Sequence, residues 1–435
     1  MSVMTLYEIA EYVLDSLKKA GAGKAACSVG RGRKEEFNIE ANKFSLLRTL
    51  ISDSLSIKAL YEGRKGVASI NKLDKESIDK AVEDCITLAK AGTPDEAEDI
   101  AGKFENKSFK RGIGGSDMDK LFSRTKEFLE QIKDEYPTIV LEGVTSEFSS
   151  GNGVYANSNG VIFDDETECY GMGSMFVAKE GEKSSSFNGY GESILTLDKP
   201  FLDMGMHRAL IEESVRSLDT RMVEEKYVGK VIVTPACDDM IWGTLFGCFL
   251  SDMPLIEGTS RWKDSLGTKV TDSKLTMRAV PHHPSVVLGE RFTGDGFESF
   301  DADLIKEGVL ESFALSLYGA NKTGNKRTKN TAFSNLEVVA GDVALADMIK
   351  GIDKGILLNR FSGASPSPSG DISGIAKNSF MIENGAITDA LSETMVSFNI
   401  VDILADIVAI SKERATNGST ILPWCCFDGI TISGK

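Results

Sequence analysis

Histidine is scarce in this chain, with 3 among 435 residues, at positions 207, 282 and 283. Imidazole-based acid–base or metal chemistry therefore has few candidates. The 7 cysteines contain no C-x-x-C pair, which removes the usual zinc-ribbon and dithiol redox spacings. Their odd number and apolar surroundings fit reduced thiols in a cytoplasmic protein better than a disulfide framework. No run of about 18 apolar residues occurs, so no membrane span is expected. Residues 1–20 carry Glu8, Glu11 and Asp15 inside an apolar periodicity, an amphipathic helix and not a leader. Positive charge is in deficit: Lys+Arg is 49 against Asp+Glu 65, a net −16. Such a chain is repelled by nucleic acid. Its one short basic cluster, Lys322–Lys329, reads as a solvated loop.

Complete catalytic motifs are also missing. There is no G-x-S-x-G. Gly30-Arg31-Gly32 resembles a phosphate loop only superficially, because it opens no apolar helix and no Lys-Ser/Thr follows. Asp164/Asp165 and Asp238/Asp239 read as caps or solvated turns. His207, at the start of a helix, suits a surface or capping role. His282 and His283 lie between prolines, which hold them extended and diverging. A metal there would need a distant third ligand such as Cys425 or Cys426. Those two neighbours point to opposite sides if they lie on a strand.

What is present is α+β patterning. A helix over 4–20 ends at Gly21. The strands that follow turn at Glu62–Gly66, and Asp74 caps a second helix that Gly92 ends. Residues 93–116 read as a linker. A third helix follows Asp117. Strands come next, with turns expected at Gly151-Asn152-Gly153 and Asn157–Gly160, and a helix near 203–219. From Gly229 the pattern becomes mostly β, with a buried strand, VIVTP, then an apolar helix, DMIWGTLFGCFLSDM, capped by Asp238 or Asp239. Hairpins are expected at 294–296, 305–310 and 382–387, and a helix near 343–358. The expected fold is α+β: two helix-and-meander units, 1–110 and 111–225, then a β-rich, barrel-like C-terminal domain with a few helices, 226–435.

The order of these pieces resembles the TldD/PmbA family, historically called modulators of DNA gyrase. EGRKGVASINKLDKESIDKAVEDCITLAKA resembles its N-terminal hairpin and helix, and NSNGVIFDDE its central turn. VIVTP with the apolar helix, GERFTGDGFESFDADLIKEGVLESF and GDVALADMIKGIDKGILLNRF resemble its C-terminal domain. The resemblance implies a zinc-peptidase family in which one branch carries H-E-x-x-x-H on the apolar helix. Here Gly243, Thr244 and Cys248 stand at the His, Glu and second His positions. The C-terminal ligand segment is replaced by SKERATNGSTILPW. The chain is thus identified with the PmbA/TldE-like branch, which lacks the zinc motif.

That branch implies a cytoplasmic, metal-free subunit with no catalytic residue or cofactor of its own. It implies a TldD-like partner holding zinc, peptide or unfolded-polypeptide substrates, and a homodimer when the partner is absent. Gly243, Thr244 and Cys248 would line a peptide chamber, with the glycines at 243 and 247 allowing close backbone approach. Two alternatives stay open. One is an independent hydrolase built on His282 and His283. The other is a non-enzymatic binding protein, for example one acting on gyrase.

Overall fold

The computed structural model of the chain describes residues 4–434 apart from 238 and 332. It is a mixed α+β protein with two large sheets, the first curved into a half-barrel. Helix α1 (Leu6–Lys19) starts at a capping box in which Thr5 and Glu8 bond reciprocally. Ile9, Val13 and Leu17 are almost fully buried along one stripe, and each contributes about 1.5–3 kcal/mol by leaving water. Strands β1 (Lys24–Glu40), β2 (Lys43–Tyr61) and β3 (Arg64–Ile70) form the expected meander, and Asp74 caps α2 (Lys75–Ala91).

The segment expected to be a linker contains a strand, β4 (Lys107–Arg111). Helix α3 (Met118–Glu135) follows. Strands β5 (Ile139–Asn157) and β6 (Ile162–Glu180) come next, and then α4 (His207–Arg216), shorter than the expected 203–219. β4 runs parallel beside β6 at the sheet edge. The order β3-β2-β1-β5-β6-β4 joins both helix-and-meander units in one sheet.

The turn expected at Gly151–Gly153 is not there. These residues continue β5 between β1 and β6, with Gly151 opposite Gly32 and Gly153 opposite Gly30. The two Gly-x-Gly stretches are therefore cross-strand partners. A Cβ at Gly32 would fall 2.9 Å from Ser52 Oγ, so glycine permits close packing there instead of a turn. Asn157–Gly160 does turn, with Gly160 at φ +89°. Asp164 and Asp165 lie in β6, not in turns. Asp165 pairs with Arg111, and Asp164 accepts from Tyr7 and Ser108.

Cys27, Val29, Phe37 and Ile39 alternate onto one face of β1. The first two pack with α1 and α2, the last two with α3. Residues of the C-terminal part also pack on this sheet. Tyr155 meets Phe292 at 6.5 Å between ring centroids, and Lys107 pairs with Glu298 at 2.7 Å. The basic cluster is docked here too and is not a free loop. Lys322 pairs with Asp95 at 2.9 Å, and Arg327 with Asp295 at 2.7 Å while lying over the Phe297 ring.

The second sheet is organised around its last strand, Ile421–Ser433. That strand pairs with Tyr227–Val233, Leu336–Val338, Thr394–Asn399 and Ile407–Thr416. Cys425 and Cys426 point to opposite faces of it, into two different cores. The helix expected over 343–358 covers only Leu345–Lys350, and Lys354–Leu358 is a strand parallel to Tyr227–Val233. The hairpins Ala302–Lys306/Val309–Leu310 and Phe380–Glu383/Ala386–Ser392 form as the glycine turns suggest. Among the described residues no helix is long and apolar enough to cross a membrane.

Candidate functional site

Val231, Ile232 and Val233 are buried in the strand Tyr227–Val233. Pro235, which has no N–H for a ladder, then turns the chain into the apolar helix. Of its two candidate caps, Asp238 lies outside the described residues. The helix is wound wide, with π turns over Asp239–Gly243 and Phe246–Leu250. It ends at Ser251, whose backbone is extended, and a short helix, Asp252–Ile256, begins anew. The single helix expected through Met253 is thus broken. The Asp252 carboxylate fixes the break by accepting from the Ser316 N–H at 3.0 Å and from its hydroxyl at 2.5 Å.

Met240, Ile241, Trp242, Leu245, Phe249 and Leu250 are buried in the C-terminal core. Gly247 is exposed, and a Cβ there would meet nothing within 4 Å, so no backbone approaches it closely. Thr244 is 6% exposed and lines a groove of about 510 Å³. The opposite wall is the strand Arg360–Gly363 with Ala364–Pro366. That strand pairs only with Asp371–Lys377, which leaves its other edge free among the described residues. Gly243 and Cys248 are half-buried and lie outside the groove lining. The Cys248 thiol donates to the Ser367 carbonyl at 3.5 Å, and burial raises its pKa. Raised in this way, the thiol lacks the thiolate character that a nucleophile needs.

The loop beside the groove, Ser367–Gly370, is held by Asp371. Its carboxylate accepts from Ser367 at 2.9 Å, Ser369 at 2.6 Å and Asn399 at 2.9 Å. Hydrogen bonds from Ser369, Asn399 and Ser367 hold its pKa down, to about 2. Asn399 also caps the helix Ile400–Ala405. Gly370, at φ +90°, sits so close to Ile400 and Phe249 that a Cβ would fall 2.5 Å and 2.9 Å from their side chains. The loop is therefore seated directly on the π-wound helix. This clamp escaped the sequence reading, although the S-P-S-P-S-G-D run carries a turn signal.

The residues present do not make a zinc site at this helix. Glycine and cysteine stand at the two imidazole-ligand positions and threonine at that of the general base, and the one thiol is engaged with the Ser367 carbonyl. Among the described residues no group of three or more His, Cys, Asp or Glu could hold a metal ion.

The three histidines are far from forming such a group. His207 is buried, 1% exposed, and not at the surface. Its Nδ1–H donates to the Phe201 carbonyl at 3.2 Å, and Nε2 accepts from the Ser174 hydroxyl at 2.5 Å. Both nitrogens are satisfied, so a neutral ring can be buried, and burial lowers its pKa to about 4. His282 is exposed beside Phe300, and its backbone N–H donates to the Asp301 carboxylate at 3.0 Å. His283 Nδ1 accepts from the Ser285 N–H at 3.1 Å. Burial raises the thiol pKa of both Cys425 and Cys426, the latter to about 12.

Comparison with known proteins agrees with this architecture. Residues 225–434 match the PmbA/TldA metallopeptidase C-terminal domain, and residues 25–89 match the PmbA/TldA metallopeptidase domain 1. Metalloprotease PmbA of Escherichia coli O157:H7 is 24% identical over 443 residues, covering 97% of this chain and 94% of that protein. The crystal structure of TldE from Thermococcus kodakarensis superposes with a TM-score of 0.84 at 21% identity, covering 98% of this chain and 100% of that one. A structure from Bacteroides thetaiotaomicron, described as a putative modulator of DNA gyrase, gives 0.85 at 22% identity, with 99% of each chain covered. With both domain matches in their proper order and the fold shared end to end, the chain belongs to the PmbA/TldD family.

Proposed function

We propose that this chain is a PmbA/TldE-like, metal-free subunit of a cytosolic TldD-type zinc metallopeptidase assembly that acts on peptides or unfolded polypeptides. One observation carries the reading. The helix that bears the zinc motif in the catalytic branch presents Gly243, Thr244 and a neutral Cys248 here. Zinc and the general base then come from a TldD-like partner. This chain contributes the groove between Thr244 and the strand Arg360–Gly363. A free strand edge can hold an extended peptide through main-chain hydrogen bonds, with little demand on its side chains.

The test is peptide cleavage by this chain alone, by a TldD-like relative from the same genome alone, and by the two together. The proposal expects no cleavage by this chain, chelator-sensitive cleavage by the pair, and co-purification of the two. Cleavage by this chain alone that survives chelator would overturn it and return attention to His282 and His283.

A further inference from the structure

The groove between the π-wound helix and the strand Arg360–Gly363 has one charged side chain among its described lining residues, Arg360. The rest of that lining is apolar or carries hydroxyls, as at Thr244, Ser362 and Ser365. Elsewhere the chain answers arginine with carboxylate. Arg31, Arg111, Arg124, Arg208, Arg278 and Arg327 each pair with one. Arg360 instead donates from Nη1 to the carbonyl of Phe187. Among the described residues no carboxylate pairs with it, in a chain with 65 acidic residues. The Phe187 carbonyl is itself fixed, since it also accepts from Asn378 Nδ2 at 2.9 Å, and Asn378 is buried. A guanidinium has five N–H donors in a planar fork, so the anchored side chain keeps others for a ligand.

Position adds a direction. Arg360 is the first residue of the strand whose free edge forms the groove wall. Asp371–Lys377 holds the other edge antiparallel, and the next two ladders inward are antiparallel as well. A peptide added in the same sense runs its C-terminus towards Arg360. A peptide added parallel would bring its N-terminal ammonium there, like charge beside like.

We propose that Arg360 is a specificity-determining residue of the groove and binds the free C-terminal carboxylate of an extended peptide. The inference rests on the proposed function, which supplies the peptide, and adds which end of it is recognised. The guanidinium fork matches the two oxygens of a carboxylate, and such charge-assisted bonds are stronger than those between neutral groups. An acidic side chain carries the same chemistry. A peptide held by one, however, continues past Arg360, where the bond to Phe187 bridges to the segment before the strand Asn188–Ile194. A peptide that ends at Arg360 does not have to pass that bridge.

The test is peptide binding to the full chain, read by fluorescence anisotropy. An uncharged peptide of Ala, Ser and Thr, labelled at its N-terminus and long enough to pair along Arg360–Gly363, is made in three forms. One has a free C-terminal carboxylate, one a C-terminal amide, and one the amide with a single internal Glu. The free carboxylate is expected to bind about tenfold more tightly than either amide, the scale of a hydrogen-bonded charge pair at a partly exposed site. Arg360→Gln should remove the difference. Arg360→Lys, a point charge without the fork, should retain part of it. Circular dichroism and melting temperature should be unchanged in both, and the comparison of peptides on the wild type needs no variant. Equal binding of acid and amide overturns the inference and leaves the proposed function standing, since cleavage by the pair is a separate readout. Tight binding of the Glu-containing amide overturns it too, by assigning the arginine to a side chain. So does a preference for the free carboxylate that persists undiminished in Arg360→Gln. If no form binds, the inference falls, and the cleavage experiment decides the proposed function by itself.

Discussion

The Ser251 N–H donates to the carbonyl of Phe246, five residues back, at 3.1 Å. That is the bond of a π-helix, and it closes a helix with π turns at both ends. On such a helix, residues five apart lie about one turn apart. Gly243 and Cys248 have this spacing, which is also that of the two histidines in H-E-x-x-x-H. The wide winding thus places these two positions about one turn apart on the same face of the helix.

Restoring two imidazoles should therefore recover metal affinity only at the five-residue spacing. Gly243→His with Cys248→His is expected to bind zinc at least tenfold more tightly than the wild type in titration calorimetry. Gly243→His with Gly247→His, spaced for an ordinary α-helix turn, should give no comparable gain. Equal gains from both pairs would mean the helix is not held in its π form.

This helix also marks how much was legible in advance. Its apolar character and its place after VIVTP follow from local sequence, as do the caps at Thr5 and Asp74, because periodicity and capping act over a few residues. The π winding and the break at Ser251 depend on Ser316, some 60 residues away, and on the core around Phe249. β4 was invisible for the same reason, since its partner β6 comes about 50 residues later. Gly151-Asn152-Gly153 was misread because glycine serves a tight turn and a close cross-strand contact equally well, and only the facing Gly30 and Gly32 distinguish the two. At the site, the sequence showed which donors were missing. The clamp by Asp371 needs Asn399 brought beside it by the fold.

His207 sets an acid limb on stability. Burial lowers its pKa from 6.5 to about 4, so the unfolded chain binds the proton more readily. The contribution is fully present above about pH 6.5 and is lost as the pH falls towards 4. Its size is about 3 kcal/mol. His207→Gln, which keeps a donor and an acceptor but does not titrate, should flatten the fall in melting temperature between pH 6.5 and 4. An unchanged slope would mean the ring is not buried neutral.

Glu213 acts in the opposite direction. Burial raises its pKa from 4.5 to about 7, only partly offset by Asn359 and Arg216, and its Oε2 is buried without a hydrogen-bond partner. The folded state therefore holds the proton more tightly than the unfolded state. The stabilisation is present below about pH 4.5 and is lost as the pH rises through 7. Glu213→Gln should remove this slope and make the protein more stable than the wild type at pH 8, by about 2 kcal/mol. A variant less stable at pH 8 would show that the ionised carboxylate is favourably paired.

Asp371 organises the groove wall from an exposed position, so its effect is expected in local order more than in global stability. Its depressed pKa, about 2, means that the ionised form is the one bonded to Ser369, Asn399 and Ser367. The loop should be held above the ordinary carboxylate range, near pH 4, and should loosen as the pH falls towards 2. Asp371→Asn loses one acceptor oxygen while keeping the volume. It should speed hydrogen exchange at Ser367 and Asp371, whose N–H groups donate to the Asp371 carbonyl and the Ser367 hydroxyl, by about tenfold at pH 7 with little change in melting temperature. Peptide binding at the Arg360–Gly363 edge should weaken in parallel, because Ala364–Pro366 continues directly into the loop that Asp371 holds against Phe249. Unchanged exchange at these two amides would show that Gly370 seated on Phe249 and Ile400 holds the loop without the carboxylate.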